Sequence, residues 1–489
     1  MVLSVNLNLL TKFKPKFIFY ILYFIFFVLL MCFLSYICML QRPRTISTTQ
    51  FSLLVIFIVI AGKCFSLPLM LLEAGGRNAW AALALFLLAD LLALAIFLIF
   101  FARRPDKTAF ELIEEKLGKV ASKILAAALF VFLGVKILYY VLDFSGFIGY
   151  ELFDGMPKSI LLIPLALMLA AFGARSLRAV GRTAEIFVYA VVAALILILC
   201  LLFVGADFTR LLPLWGGEAG DGFSRMFMLY PLHAGDFTAL FIAQGLKKIT
   251  QRGGELCVTP ATVEPSKITQ SSPPPCVKLA PFLSAVGASA VAMLLGLLIF
   301  ATFTDVTRLM DASQNTLSAT HTGIARFSFG RFDKIAYAAL SATTLLLMAV
   351  WFLAAVQTLR FVVDRGQLPV DSEVDSSVGV DLQIDPQCVK DFPAGGSICK
   401  STPTEAGIIT QSKLPHSPFA TRNSKASSQL VISIALAIGV YFAAVFVPMQ
   451  RLCGFLGAFG IYFVPVFALG FPLLLLILSI KKRKNEKSQ

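Results

Sequence analysis

Charge is what this sequence has least of. Only 14% of its 489 residues are Asp, Glu, Lys or Arg, while 58% are hydrophobic and the mean hydropathy is +0.83. That balance excludes an ordinary soluble globule and requires a polytopic, all-α membrane protein, the lipid bilayer being its first partner. The ten-residue alternation of a transmembrane barrel is also missing, which leaves helices as the spanning element. Histidine is nearly absent, and the three present are far apart in the chain. The nine cysteines form no CxxC pair, so no metal site and no cofactor are expected. Cys257, Cys276, Cys388 and Cys399 fall in loops assigned to the cytosol, where disulfides rarely persist. There is no nucleophile–base arrangement and no phosphate-binding glycine loop, so the chain does not read as an enzyme.

What is present is a series of long apolar runs. Ten spans are expected at 51–72, 79–101, 121–142, 159–172, 184–204, 223–246, 279–303, 334–363, 430–448 and 452–480. The charged, amphipathic stretch 107–119 reads as an interfacial helix ahead of the third span. The net charge of +14 does not indicate nucleic acid, because Lys and Arg gather on one side. With the end before residue 51 inside, short inside segments carry twenty Lys and Arg and outside loops carry nine. A further apolar segment, 17–40, follows Lys12, Lys14 and Lys16. It reads as a signal peptide, an extra N-terminal span, or the product of an upstream start with Met39 as the true one. A span there would place three lysines outside, so the last reading is slightly favoured.

The chain divides accordingly. Residues 1–43 are the extra hydrophobic segment and 44–248 hold spans one to six. Residues 249–278 are a polar insert, 279–365 hold spans seven and eight, and 366–428 are a second insert. Residues 429–489 hold the last two spans and a basic tail. The inserts are rich in Pro, Ser, Thr and Gly without apolar periodicity, and both are expected to be disordered. Ile-Thr-Gln recurs at 249, 268 and 409, a faint sign of common descent that chance explains equally well.

The first span is interrupted. In IAGKCFSLPLMLL, residues 60–72, Gly62, Lys63, Ser66 and Pro68 break an otherwise apolar helix. Lipid cannot satisfy backbone groups freed there, so such a break must face protein or a cavity. In transporter folds broken helices form the substrate site. The sixth span is weak in the same way over PLHAGD, Pro231 to Asp236.

Several stretches resemble the spore germination permeases, the B subunits of germinant receptors in endospore-forming bacteria, which are similar to the amino acid–polyamine–organocation superfamily. They are RTISTTQ at 44–50 with the Ser66-Leu67-Pro68 break, LLEAGGRNAW at 71–80, RPDKTAFELIEEKLG at 104–118 and VLDFSGFIGYELFDGMP at 141–157. GRTAEIF at 181–187, ADFTRLLPLW at 206–215 and the segment 331–361 complete the set. Lys63 departs from the family, which has a less polar stretch at 61–64, and 304–329 matches poorly. The resemblance implies two five-helix inverted repeats with the first and sixth helices unwound at their centres. It also implies an A-type subunit and a C-type lipoprotein as partners. The ligand would be a small germinant such as an amino acid, and the location the spore inner membrane or the bacterial cytoplasmic membrane. The alternatives are a proton-coupled amino acid or amine permease and an inactive copy.

On this reading Gly62, Lys63, Cys64, Ser66, Pro231, His233, Gly235 and Asp236 are candidate ligand-binding residues. Freed amides at half-helix N-termini suit a carboxylate and unwound carbonyls an ammonium. Lys63 is either a snorkelling charge on a shifted helix or a buried ion paired with Asp236. Asp90 is deep enough to carry a proton or cap a neighbouring break. Asp143 and Glu185 read as interfacial, with Asp143 a secondary candidate. Tyr140, Trp351 and Gln357, with Tyr139, line a pocket or anchor at the interface. Gly62 and Gly235 also fit close helix packing, as do Gly454, Gly457 and Gly460.

Overall fold

A computed structural model describes residues 46–64, 66–103, 109–151, 157–211, 225–227, 229–230, 233–244, 280–302, 332–363, 418–448, 451–452 and 466–480. The N-terminal segment, the insert 249–278, most of the second insert, Pro231 and Gly454–Gly460 lie outside them.

The described chain is helical throughout. Helix α1, Thr48–Lys63, opens on a capping box: Gln50 N donates to Ser47 Oγ at 3.1 Å, and Ser47 N donates to Gln50 Oε1 at 3.2 Å. Cys64 caps its end, and α2 starts at Ser66 and runs to Gly75. The expected single span is therefore two helices. Pro68 is no obstacle, since it lies in the first turn of α2, where its missing N–H has no intrahelical use.

Helix α3, Ala79–Arg103, returns across the bilayer. The expected interfacial helix is α4, Ala109–Leu117, which buries Ala109, Phe110, Leu112 and Ile113. Phe110 stacks on Phe361 at 4.6 Å between ring centroids. Gly118, at φ +85°, turns the chain into α5, Lys119–Glu151, which extends beyond both ends of the expected span. Then come α6, Lys158–Gly173, with Pro164 inside it, and α7, Leu177–Gly205. The sixth expected span is not one helix either. Residues 234–235 are non-helical, and α8 runs only from Asp236 to Gln244.

Helix α9 is Ala280–Thr302 and α10 is Phe332–Val363. Helix α11, Pro418–Phe446, begins inside the second insert, so 418–428 are helical and the expected disorder of 366–428 ends earlier. A π turn, Val466–Gly470, leads into α12, Phe471–Ile480.

Among the described residues seven helical stretches are long and apolar enough to cross a membrane, and two shorter apolar ones accompany them. The protein is an integral, multi-pass membrane protein. Its innermost helices are α1 and α10. Helix α1 packs on α9, α10 and α7, while α10 packs on α5, α7, α8 and α1. Every residue from 342 to 356 is buried. Helices α7 and α11 instead turn Tyr189, Val192, Ile196, Val431, Ile438 and Phe442 outward, faces that lipid solvates. With α1 and α10 at the centre, each chain interruption beside them is enclosed by protein.

Candidate functional site

The two breaks meet. The interruption after α1 frees Gly62 O, because the helix stops before residue 66 can close the bond. His233, just ahead of the second break, approaches it with Nδ1 at 3.0 Å. A carbonyl only accepts, so Nδ1 carries the proton and Nε2 bears the lone pair of a neutral imidazole. Gly235, at φ +88°, turns the chain into α8, and its missing Cβ makes room for Phe132. A Cβ there would meet Phe132 Cζ at 2.9 Å.

Two charges occupy the helix ends favourable to each. Lys63 is in the last turn of α1, at the negative end of its dipole, and Asp236 is the first residue of α8, at the positive end. Lys63 Nζ is 2.7 Å from Asp90 Oδ2 on α3 and 3.6 Å from Asp236 Oδ2. Asp236 Oδ1 accepts two further bonds, from Tyr140 Oη on α5 and Trp351 Nε1 on α10, each 3.1 Å. One carboxylate thus collects groups from three other helices. Gly62 is required beside it, since a Cβ would lie 2.7 Å from Asp236 Oδ2.

A fourth charge sits in the same place. Lys136, fully buried on α5, holds its ammonium 5.6 Å from the Tyr140 ring centroid and 5.4 Å from that of Trp351. Next to the cluster Ser66 Oγ donates to Asp143 Oδ2 at 3.3 Å, and Tyr139 stands edge-on to His233 with ring centroids 6.0 Å apart.

The structure therefore gathers Gly62, Lys63, His233, Asp236, Asp90, Tyr140 and Trp351. Cys64 is buried at the break and Gly235 shapes the second one. Asp143 is 5% exposed and accepts a bond from Ser66, the first residue of α2. Glu185 accepts a bond from Gln50 Nε2 at 3.2 Å and ties α7 to α1. Gln357 does not reach the cluster, because its amide donates to Ala243 O at 2.7 Å and holds the far end of α8. Lys136 was missed from sequence, although the signal was the one that flagged Lys63: a lone charge in the middle of an apolar run. Tyr230, whose hydroxyl is buried, was missed too.

Chemically the site gathers two buried lysines and two buried aspartates with polar edges left over. His233 Nε2 and Tyr230 Oη are buried without a hydrogen-bond partner, and Asp236 Oδ2 meets Lys63 only as an ion pair. Buried polar atoms in that condition mark a place built for something else to bond. Among the described residues no three His, Cys, Asp or Glu side chains are grouped to hold a metal.

Comparison with known proteins agrees with this picture. Residues 45–243 match the family described as spore germination protein. That segment runs from the cap of α1 almost to the end of α8 and holds Lys63, Asp90, Lys136, Tyr140, His233 and Asp236. No curated protein matches the chain. Among solved structures, a Na+-coupled sialic acid symporter in a substrate-bound, outward-open state is similar over 94% of this chain and 88% of that one, with a TM-score of 0.52 and 12% identity. At that identity the likeness speaks for the fold alone. Residues 45–243 are thus similar to the spore germination protein family, and the helical fold is similar to that of a transporter.

Proposed function

We propose that this protein is the permease-like subunit of a germinant receptor, a sensor that binds a small germinant such as an amino acid where the two helix breaks face each other. The observation that carries the reading is the pair of buried polar atoms at the breaks without a hydrogen bond, His233 Nε2 and Asp236 Oδ2, held by helices that stop short of one another. A ligand bonding Asp236 Oδ2 and His233 Nε2 on one side and the start of α2 on the other would link α1, α2 and α8. Binding would then favour one arrangement of these helices over another, and the difference in affinity is the energy available for signalling. A-type and C-type receptor subunits are the partners to receive it. The same reading takes the ten spans as two inverted five-helix repeats and 44–248, 279–365 and 429–489 as one permease body interrupted by two inserts.

The test is thermal stabilisation of the purified chain in detergent by the common amino acids, for the native protein and for Lys63→Ala. A ligand at one hundred times its dissociation constant adds about 2.7 kcal/mol. The expected result is stabilisation of the native chain by at least one amino acid. Absence of any shift, with the A- and C-type subunits also present, rejects the reading.

A second reading, a proton-coupled amino acid or amine permease, has its own support. Ion pairs such as Lys63–Asp90 inside membrane segments recur along proton and ion pathways, and the similar fold is that of a symporter. Ligand-driven, proton-dependent flux in vesicles holding this chain alone would favour transport over sensing.

A further inference from the structure

Lys63 stands where a small cation would. Its side chain leaves α1 at the last turn and its ammonium reaches carboxylates on two other helices, Asp90 at 2.7 Å and Asp236 at 3.6 Å. The shorter distance is that of a charge-assisted contact and the longer that of a looser ion pair. The surroundings are arranged for this contact. Tyr140 and Trp351 both donate to Asp236 Oδ1, which fixes the carboxylate and turns Oδ2 toward the ammonium. Gly62 lets that oxygen come close to the backbone of α1. The contact with Asp90 is close, whereas Asp236 Oδ2 takes no hydrogen bond and faces the ammonium only as an ion pair, although Lys63 is only 2% exposed. The place is one for a cation, filled by an ammonium on a tether.

We infer that Lys63 is a tethered cation occupying a monovalent-cation site formed by Asp90 and Asp236. The native chain consequently takes no cation from solution at this position, and shortening the side chain opens the site to a small cation, either Na+ or an alkylammonium. Without Lys63, two buried carboxylates face the single ammonium of Lys136, and the lysine tail leaves a cavity roughly the size of a short alkylamine. An excess negative charge in a buried site is compensated by whatever cation fits. The inference stands on charge and geometry and holds whether the protein senses its ligand or transports it.

Thermal melts of the full chain in detergent decide it, with NaCl, ethylammonium chloride or the bulky N-methylglucamine chloride at equal ionic strength. The native protein is expected to melt at the same temperature in all three. Lys63→Ala is expected to melt lower in N-methylglucamine and to regain about 5 °C, in a saturable way, with Na+ or ethylammonium. The double variant Lys63→Ala/Asp90→Asn is expected to lose that recovery. Recovery by Na+ alone assigns an inorganic cation, and recovery by ethylammonium alone assigns an organic one. The inference is overturned if Lys63→Ala responds to neither cation, if the native chain gains as much as the variant, or if Asp90→Asn leaves the recovery intact. Should Lys63→Ala not survive purification in N-methylglucamine, the yield of monodisperse protein becomes the readout. Rescue by ethylammonium supports the inference. Equal loss in all three salts, with Lys63→Arg recovered, defeats it.

Discussion

At the scale of single residues, Asp236 is the group whose surroundings say most. A buried carboxylate needs its lone pairs filled, and here one oxygen takes two donors while the other faces an ammonium. Because Tyr140 and Trp351 share one acceptor, either donor covers for the other. Tyr140→Phe or Trp351→Phe alone should cost about 1.5 kcal/mol, the low end for a bond to a charged group. The double variant should cost more than the sum, since only then is Oδ1 bare in a dry interior, with a coupling of about 1 kcal/mol or more. Chemical or thermal unfolding of the four proteins in detergent measures this directly. Strict additivity would show that the two bonds act independently and that water reaches Oδ1.

At the scale of elements, the breaks define the site, and each rests on one backbone feature. The first was legible in Gly62, Lys63, Ser66 and Pro68, because a charge and a proline do not sit inside a continuous lipid-facing helix. Its exact place was not, since the proline that announced it belongs to the first turn of the next helix. The second was legible in the polar run from Pro231 to Asp236. What sequence did not convey was the nearer partner, since the pairing considered for Lys63 was with Asp236. Lys63 lies 27 positions from Asp90 and 173 from Asp236, and nothing local states that α3 supplies the nearer carboxylate. Lys136 escaped notice because the aromatic residues that accept it lie one turn away at Tyr140 and across the bundle at Trp351.

The glycines offer a clean test of which turns the bundle depends on. Gly118 and Gly235 both have positive φ, but a Cβ on Gly118 meets nothing within 4 Å, whereas on Gly235 it would strike Phe132. Gly118→Ala should therefore cost only the left-handed backbone term, about 1 kcal/mol. Gly235→Ala should add an overpacking cost of about 1–3 kcal/mol and displace Phe132 from its stack on Phe467 and its edge-on contact with Trp351. Midpoints of thermal unfolding separate the two, and equal losses would mean that the second break relaxes freely.

For the molecule as a whole, net charge in the interior is what matters. Lys63, Lys136, Asp90 and Asp236 come from α1, α5, α3 and α8, and each of the four helices is fixed partly by the need to bring its charge to the others. Lys136 feels Asp236, Lys63 and Asp90 electrostatically, and its ammonium also lies near the Tyr140 and Trp351 rings. Coulomb energy falls only as the inverse of distance, and it is weakly screened where water and salt are excluded. The balance between two cations and two anions is then a property of the bundle more than of any pair. Lys136→Met keeps an unbranched chain of similar length but leaves the interior one charge negative. It should destabilise the protein by about 3–5 kcal/mol, the range for stranding a buried partner. Asp90→Asn should restore at least half of that loss in the double variant Lys136→Met/Asp90→Asn, even though it also deprives Lys63 of its closer carboxylate. A packing role for Lys136 predicts the opposite, two independent losses that add. Unfolding free energies for the native chain, both single variants and the double distinguish the two, and a coupling near zero would mean that the four charges do not act as one balanced set.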